Sequence, residues 1–481
     1  MKIREARTRI PSREQPPAKA ALVKFERSEL ALLLAILLIG SLLRLNGIAD
    51  PFMGPQSFNE AHYSLVALNF FKYGPLVQMD ELGRDFSTTP LLPWMIFASF
   101  NLLGVSELAA RLPVFICGVL SLLVFYLLAR ELTEKRTALL ATALAAAAPG
   151  IIYISRSVQL ESPATLFLLL ALLLMARRSA WAAMLMLAVA MAFKSSMLLG
   201  LPALLLLACE RRAINFRKKE AAALLLVPFI PAALWYSYGF LSGGGGSVGW
   251  YFGRFDGGIA AAAQSALLAL FSIPLQLGAA TFVLALAGAF RYVYPRMRQP
   301  SGILLLWALA WYLIILAYPS LYSGNPYYDY PGWYSLCVFA AIPLAELYGM
   351  ASQLAGKAAA AGAIALVLSA VLLLNIYQYD AAYSTGWPFP EQFPFQSAKL
   401  VKEMNVRHEP VVVDVPQTFF YAGGDPEYIH WEWSEAGIAE EAAAQNCTYA
   451  VTYLYCNSTR LNAQLAAAGY VRIAPCAWKR A

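Results

Sequence analysis

The chain has 481 residues, of which 59% are hydrophobic and 14% charged, and its mean hydropathy is +0.56. This composition excludes an ordinary soluble domain and fits a multi-span membrane protein. A formal net charge of +7 suggests nucleic acid in a soluble chain; here cytoplasmic Lys and Arg that orient membrane spans account for it, and no nucleic-acid partner is expected.

Residues 1–28 read as a cytoplasmic basic tail with Lys2, Arg4, Arg7, Arg9, Arg13, Lys19, Lys24 and Arg27. The apolar run after it is too long for a signal-peptide core and reads as a retained first span. Apolar runs of about 15–25 residues then recur. The expected spans are Leu30–Leu45, Ala109–Leu128, Ala138–Tyr153, Pro163–Met175, Trp181–Phe193, Met197–Leu207, Ala221–Trp235, Ala262–Phe290, Gly302–Tyr318, Tyr334–Tyr348 and Ala358–Tyr377. The clusters Arg130/Lys135/Arg136, Arg177/Arg178, Arg211 to Lys219, Arg291/Arg296/Arg298 and Lys357 fall on alternate connections, on the side of the basic tail, as the positive-inside rule requires.

The expected architecture is a polytopic α-helical membrane protein of about eleven spans. It comprises a transmembrane domain over residues 29–378, with a long first outer loop at 48–108, and a small extracytoplasmic α/β domain at 379–481. Within the loop, Glu60–Tyr73 is patterned as a surface-lying amphipathic helix, and Leu91–Leu103 as a second. In the C-terminal region Val411–Val415 and Tyr449–Tyr455 read as strands. Ser397–Met404, Ala436–Ala444 and Arg460–Ala468 read as helices, and Val471–Ala474 as a short strand.

Six cysteines and three histidines give no metal-ligand spacing, and a divalent metal stays open as a cofactor. One disulfide among Cys447, Cys456 and Cys476 is compatible with an oxidising side. There is no nucleotide-binding glycine motif, so if the chain transfers a sugar at an outward-facing site, the donor is expected on a lipid and not on a nucleotide. Glu60 and Glu161 stand just beyond the outer ends of spans, where ionisable groups tend to be functional. Asn446-Cys447-Thr448 and Asn457-Ser458-Thr459 fit the N-glycosylation acceptor pattern. The run Gly243–Gly246 and the aromatic cluster from Trp250 to Asp256 that follows it read as a flexible loop with an interfacial or sugar-stacking patch.

An ordered set of short motifs narrows this further. Leu43-Arg44-Leu45 leaves the first span, and Phe58-Asn59-Glu60-Ala61-His62-Tyr63 follows. Then come Thr89-Pro90-Leu91-Leu92-Pro93-Trp94, Leu103-Gly104, Ala109-Ala110-Arg111-Leu112-Pro113, Ser155-Arg156 with Glu161, Phe193-Lys194, and Asn325-Pro326-Tyr327-Tyr328. Over roughly Leu30 to Tyr348 this resembles the GT-C superfold, in the branch of protein O-mannosyltransferases and bacterial aminoarabinose transferases. The resemblance implies an integral, multi-pass plasma-membrane enzyme. It would move a sugar from a polyprenyl (dolichyl or undecaprenyl) phosphate to a protein, lipid or glycan hydroxyl at the extracytoplasmic face.

The family's first loop usually carries Asp-Glu where this chain has Asn59-Glu60, and an amide cannot serve as a general base. Where the family often has Lys-Pro-Pro-Leu, this chain has Thr88-Thr89-Pro90-Leu91. The candidate catalytic residues are therefore Glu60, Glu161 and Asn59. Candidate donor-phosphate ligands are Arg84, Arg111, Arg156, Lys194 and Arg254, with Arg suited to bidentate contact and Lys to a point charge. His62, Tyr63, Tyr327 and Tyr328 are candidates for sugar or lipid contact. Structural roles stay open beside these: an ion pair for Arg111, anchoring for Lys194, pairing with Arg156 for Glu161. The alternative function is a non-catalytic relative or transporter that binds or moves lipid-linked glycans.

Overall fold

A computed structural model describes residues 25–52, 54, 56–80, 83–84, 88–215, 219–241, 259–296, 307–312, 327–384, 393–432 and 434–481. Helix α1 (Arg27–Leu45) leads into a loop and then α2 (Ser57–Tyr73). A two-residue antiparallel pairing, β1 (Met79–Asp80) with β2 (Gly83–Arg84), precedes α3 (Leu91–Leu103). The 26-residue α4 (Glu107–Leu132) starts on Ser106, whose hydroxyl accepts the Ala109 amide at 3.2 Å. At 1.5 Å per residue it runs about 39 Å, enough to cross a bilayer core.

The next expected span, Ala138–Tyr153, is broken. It consists of α5 (Lys135–Ala147) and α6 (Pro149–Arg156), bent by 64°. Pro149 lacks an N–H and pushes Ala148 to extended dihedrals (φ −69°, ψ 125°), which ends α5. Helices α7 (Glu161–Ala176) and α8 (Ala180–Phe193) follow. A 3-10 turn over Ser195–Gly200 then leads to α9 (Leu201–Glu210). The expected span Ala221–Trp235 is likewise divided, into α10 (Lys219–Leu226) and α11 (Ile230–Leu241), by a 3-10 turn at Pro228.

Expected span Ala262–Phe290 is two helices, α12 (Ile259–Leu277) and α13 (Ala279–Arg296), turned through 111°. Gly278 makes the corner at φ 90°, a conformation that a side chain resists. Helix α14 (Tyr330–Tyr379) joins the last two expected spans end to end and kinks at Gly356. Three described helices (α1, α4 and α14) are long and apolar enough to cross a membrane, and the number rises to as many as five if each bent pair counts as one span. Four shorter apolar helices accompany them. Most of Gly302–Tyr318 lies outside the described residues.

One end of the bundle is basic and tied by ion pairs. Buried Glu29 takes Arg130 at 3.1 Å and the Tyr126 hydroxyl. Lys135 meets Glu26 at 2.8 Å, and Arg177 meets Glu131 at 3.0 Å. Inside the bundle, Gly118 on α4 lets α6 approach so closely that a Cβ would collide with Ser155.

The opposite end carries the C-terminal unit. It contains α15 (Phe393–Met404), β3 (Val411–Val413), α16 (Pro416–Ala422), β4 (Ile429–Trp431), α17 (Glu435–Ala444), β5 (Tyr449–Val451), α18 (Thr459–Ala467), β6 (Tyr470–Ala474) and β7 (Ala477–Arg480). The sheet order is β4-β3-β5-β7-β6. β3 is parallel to both neighbours, with Val411 opposite Ile429 and Tyr449, while β7 runs antiparallel to β5 and β6. All three β3 valines are buried, as suits a central parallel strand covered on both faces. Cys456 and Cys476 form a disulfide with Cα atoms 4.6 Å apart. Buried Asp414, just past β3, accepts the Tyr453 and Leu454 amides at 2.7 Å and so joins the exits of β3 and β5.

This unit sits on α2. Gly424 approaches Leu65 and Leu68, and Lys72 pairs with Asp425 at 2.8 Å and Glu427 at 2.7 Å. On another side α2 meets α3, with Phe70 and Phe71 edge-on to Phe97. Helix α2 is thus clamped between protein layers, where the sequence pattern alone suggests a surface-lying helix. The cover that changes its environment comes from residues more than 340 positions away.

Candidate functional site

The N-terminal turn of α2 brings Asn59 and Glu60 to the sheet-side end of the bundle. Their side chains lead to two different environments. Glu60 is 1% exposed and paired bidentately with Arg111: Nε to Oε1 at 2.7 Å and Nη2 to Oε2 at 2.9 Å. The Val158 amide donates to Oε1 as well, at 3.1 Å. Arg111 spends its remaining donors on the carbonyls of Ile48 (3.1 Å) and Asp50 (2.5 Å), and lies 5.1 Å over the Phe52 ring. That pairing fixes the 47–52 loop, α2, α4 and the α6–α7 turn to one another.

Asn59 points the other way. Its amide nitrogen donates to Tyr327 Oη at 3.0 Å and to Gln56 and Gln159 Oε1, both at 3.3 Å. Gln159 in turn donates to Gln56 at 3.1 Å. Two residues beyond Gln159, Glu161 opens α7 and is 2% exposed. It accepts from Lys194 Nζ, which caps the end of α8. Lys194 lies 3.6 Å over the Tyr328 ring and 5.5 Å from that of Tyr327, and its side chain is 13% exposed. Asn59, Tyr327, Tyr328, Lys194 and Glu161 therefore form one contiguous cluster. The expected alternative partner of Glu161, Arg156, is turned away from it.

Arg156 ends α6 and makes no hydrogen bond or ion pair among the described residues. Its guanidinium rests over the rings of Tyr379 (5.4 Å) and Tyr153 (5.9 Å). Tyr153 Oη accepts the Gln56 amide at 3.1 Å, so a single ring separates Arg156 from the amides around Asn59. His62 and Tyr63 lie edge to face on α2 at 5.1 Å, half-buried. Thr88, where the resemblance places a lysine, is half-buried, and its neighbour Thr89 is buried and donates to the Ala192 carbonyl. The Arg84 side chain, Arg254 with the Gly243–Gly246 run, and the Asn325-Pro326 pair lie outside the described residues.

The C-terminal unit reaches the same end. Tyr421 Oη accepts the Phe52 amide at 3.0 Å and donates to Glu107 at 2.9 Å; Gln417 donates to Ser57 at 3.0 Å. Burial and the nearby Glu107 carboxylate raise the Tyr421 hydroxyl well above its ordinary value, so it remains a donor.

Three features of this end escape the sequence reading. Gln56 and Gln159 carry no motif signal. Asp329, beside Tyr327 and Tyr328, is fully buried near the Trp333 indole, and its signal is an acid within an aromatic run. Arg44 reads as a span exit, yet it is buried and donates to Ser155 Oγ and the Gly40 carbonyl at 2.7 Å. Among the described residues no group of three or more His, Cys, Asp or Glu side chains converges as a metal site would.

Residues 87–235 match the family described as dolichyl-phosphate-mannose-protein mannosyltransferase. No curated protein sequence matches the chain. Among solved structures, ArnT from Cupriavidus metallidurans bound to undecaprenyl phosphate is similar at TM-score 0.64 and 16% identity, covering 94% of this chain and 97% of that one. The apo state of the same protein gives TM-score 0.63. The oligosaccharyltransferase AglB from Archaeoglobus fulgidus, in complex with an inhibitory peptide and a dolichol-phosphate, is similar at 0.59 and 15% identity, covering 91% of this chain and 71% of that one. The chain has the GT-C fold of these structures, and three of its described helices are long and apolar enough to cross a membrane.

Proposed function

We propose that the chain transfers one sugar from a polyprenyl phosphate to a hydroxyl of a protein, lipid or glycan at the outer membrane face. The observation that carries this reading is the Glu161–Lys194 pair held against Tyr327 and Tyr328, beside Asn59. In this reading the acceptor O–H gives its proton to Glu161 while its oxygen bonds to the sugar's anomeric carbon. The bond from that carbon to the phosphate oxygen breaks, and the electron pair leaves with the lipid phosphate. Lys194 supplies the point charge that stabilises the departing phosphate. In the resting chain Lys194 neutralises Glu161; a donor phosphate competes for it and frees the carboxylate to act as a base.

Asn59 and the Tyr327 hydroxyl supply hydrogen bonds for sugar hydroxyls, and the Tyr328 ring an apolar face. Glu60 and Arg111 serve as positioning residues that hold α2 in place. The basic end of the bundle lies in the cytoplasm and the C-terminal unit outside. The fold's similarity to proteins bound to undecaprenyl phosphate and dolichol-phosphate supports a polyprenyl carrier.

The test is purified full-length protein supplied with radiolabelled polyprenyl-phosphate sugars and candidate acceptors, alongside the same sugars on nucleotides. Transfer from the lipid donor that is lost in Glu161→Gln is expected. Efficient transfer from nucleotide sugars without lipid would overturn the reading. Asn59 favours one second reading, a non-catalytic binder or transporter of lipid-linked glycans. Saturable donor binding with no turnover for any acceptor would select it.

A further inference from the structure

Both bent spans break against the same side chain. Asn375, fully buried on the arm of α14 beyond the Gly356 kink, donates from Nδ2 to the Ala147 carbonyl at 3.1 Å. That carbonyl ends α5, and the last carbonyls of a helix have no partner within it. Asn375 Oδ1 stands where Gly278 would carry a side chain, so that a Cβ on Gly278 would collide with it. Gly278 is the corner between α12 and α13. One turn beyond Asn375, Gln378 accepts the Ala279 amide at 3.0 Å, a donor at the start of α13 that the same break leaves without a helical partner. Within a bilayer such freed groups meet no water, so a broken span persists where neighbouring helices bond them. The two ties hold different things: Gln378 holds α13, and Asn375 holds the break at the base of α6.

Helix α6 leaves that break at 64° to α5, and its eight residues span about 12 Å. Its far end frames the candidate site. Tyr153 Oη accepts the Gln56 amide at 3.1 Å. In the turn that follows, the Val158 amide donates to Glu60 at 3.1 Å and Gln159 donates to Gln56 at 3.1 Å; Glu161 then opens α7. From this geometry we infer that Asn375 is a positioning residue for transfer: by bonding the end of α5 at the break it sets the direction of α6, and through α6 the places of Gln159 and Glu161. The inference rests on the transfer reading above and adds to it a residue far from the reacting atoms. A tilt of about 5° at the base of α6 moves its far end by about 1 Å, and a misplacement of that size costs roughly a hundredfold in rate. A hydroxyl would satisfy the Ala147 carbonyl equally well; an amide that also fills the Gly278 corner registers α6 against both broken spans at once. The joint is closed from the other side too. A Cβ on Gly150, in the first turn of α6, would collide with Gln276 at the end of α12. Gln276 accepts the Tyr383 hydroxyl, and the Tyr383 ring stacks on Tyr153 at 4.2 Å.

The experiment pairs amide hydrogen exchange, read by mass spectrometry, with transfer kinetics on the same full-length variants in nanodiscs. In Asn375→Ala, exchange across the Ser157–Leu160 turn is expected to quicken about tenfold or more, while the α4 segment around Arg111 keeps its parent rate. Its kcat is expected to fall about tenfold or more with the donor KM within roughly threefold of the parent, the split that misplacement of a reacting group gives. Asn375→Ser is the milder variant, expected to show the same pattern at smaller amplitude, and it decides the matter if Asn375→Ala does not fold. Gln378→Leu breaks the neighbouring tie to α13, leaves Ala147 bonded, and is expected to match the parent in both measurements. Exchange that quickens equally in α4, α7 and the turn marks Asn375 as a general stabiliser and overturns the inference. So does a kcat in Asn375→Ala that falls no further than in Gln378→Leu. A parent that transfers from no lipid donor removes the transfer reading instead, and the exchange pattern still decides whether Asn375 aims α6.

Discussion

Glu60 and Glu161 occupy the same end of the bundle, and each faces one cation, yet the two pairs are built differently. Glu60 has both oxygens on Arg111 and one also on a backbone amide, and Arg111 has further carbonyl partners. Every polar atom of that pair is satisfied by the protein, which leaves nothing to offer a substrate. Glu161 has a single cation partner, and that partner is a lysine: a compact charge on a flexible stem, resting on two tyrosine rings and partly exposed. A saturated bidentate pair is a joint between segments. A single, partly open contact can be exchanged for a ligand. The comparison teaches that an acid at a lipid boundary is informative only together with the valence of its partner.

The largest expected effect belongs to the closed pair. Arg111→Ala strands a buried carboxylate, and removing one partner of a buried pair typically costs about 3–5 kcal/mol. We expect this variant to lose most of its folded yield, measured by size-exclusion chromatography and thermal unfolding in detergent. Glu60→Gln should be nearly as damaging, since it leaves the guanidinium buried and unpaired. A melting temperature within two or three degrees of the parent for both would mean that Glu60 is free for another task.

Next comes Glu161→Gln. Loss of a general base lowers rates by about 10²–10⁴, so transfer should fall by that amount. The structural cost should be smaller than at Glu60, roughly 1 kcal/mol, because Lys194 keeps its place over the rings and its access to water. If instead Glu161→Gln unfolds the protein while Glu60→Gln only slows it, the two roles are the reverse of those assigned.

How much of this was legible in the sequence follows from the range of the interactions. Helical segments are local, and apolar runs marked most of them; Pro149 and Gly278, which break two expected spans, lay in plain view inside runs judged on hydropathy alone. Both carboxylates were visible as acids at lipid boundaries. Their partners were not, because Glu60 meets Arg111 across 51 positions, Glu161 meets Lys194 across 33, and Asn59 meets Tyr327 across 268. Arg156 is five residues before Glu161 and is its nearest cation in a linear reading; the Ser157–Leu160 turn sends it to Tyr379 instead. Arg44 sat next to polar residues at a span end, where long cations usually reach for water, but the hydroxyl of Ser155 draws it inward.

A third, smaller effect tests the amide between the two pairs. Asn59 donates to three oxygens. Aspartate offers no donor, so Asn59→Asp sets an anion against Tyr327, Gln56 and Gln159. Tyr327 can turn its hydroxyl to donate, and either glutamine amide can flip; the net expectation is loss of about one hydrogen bond, roughly 1 kcal/mol, and a rate several-fold lower. A rate increase of tenfold or more in the same assay would identify position 59 as the missing base and demote Glu161.

The last test lies away from the cluster, in the unit that covers α2, and asks whether that cover acts on the closed pair. Burial raises the Asp414 carboxyl to about 6, against the Tyr453 and Leu454 amides and the Thr418 hydroxyl, which favour its ionised form. The group holds its proton longer in the folded chain than in the unfolded one. Below about pH 4 both states are protonated and its contribution is constant. As pH rises from about 4 to about 6 the unfolded chain ionises first, the unfolded state binds fewer protons, and stability falls; above that window the loss is complete. A shift of this size corresponds to something on the order of 3 kcal/mol. Amide exchange at Tyr453 and Leu454, corrected for intrinsic rates, should therefore speed up by as much as a hundredfold across the window in the parent, and much less in Asp414→Asn. Amides of the α4 segment around Arg111 should show no such step, since Asp414 and the amides it accepts lie in the sheet and contact none of them. A matching step there would couple the sheet to the joint beneath it, through Tyr421 and Phe52, and would make the covering unit part of what holds Glu60 in place.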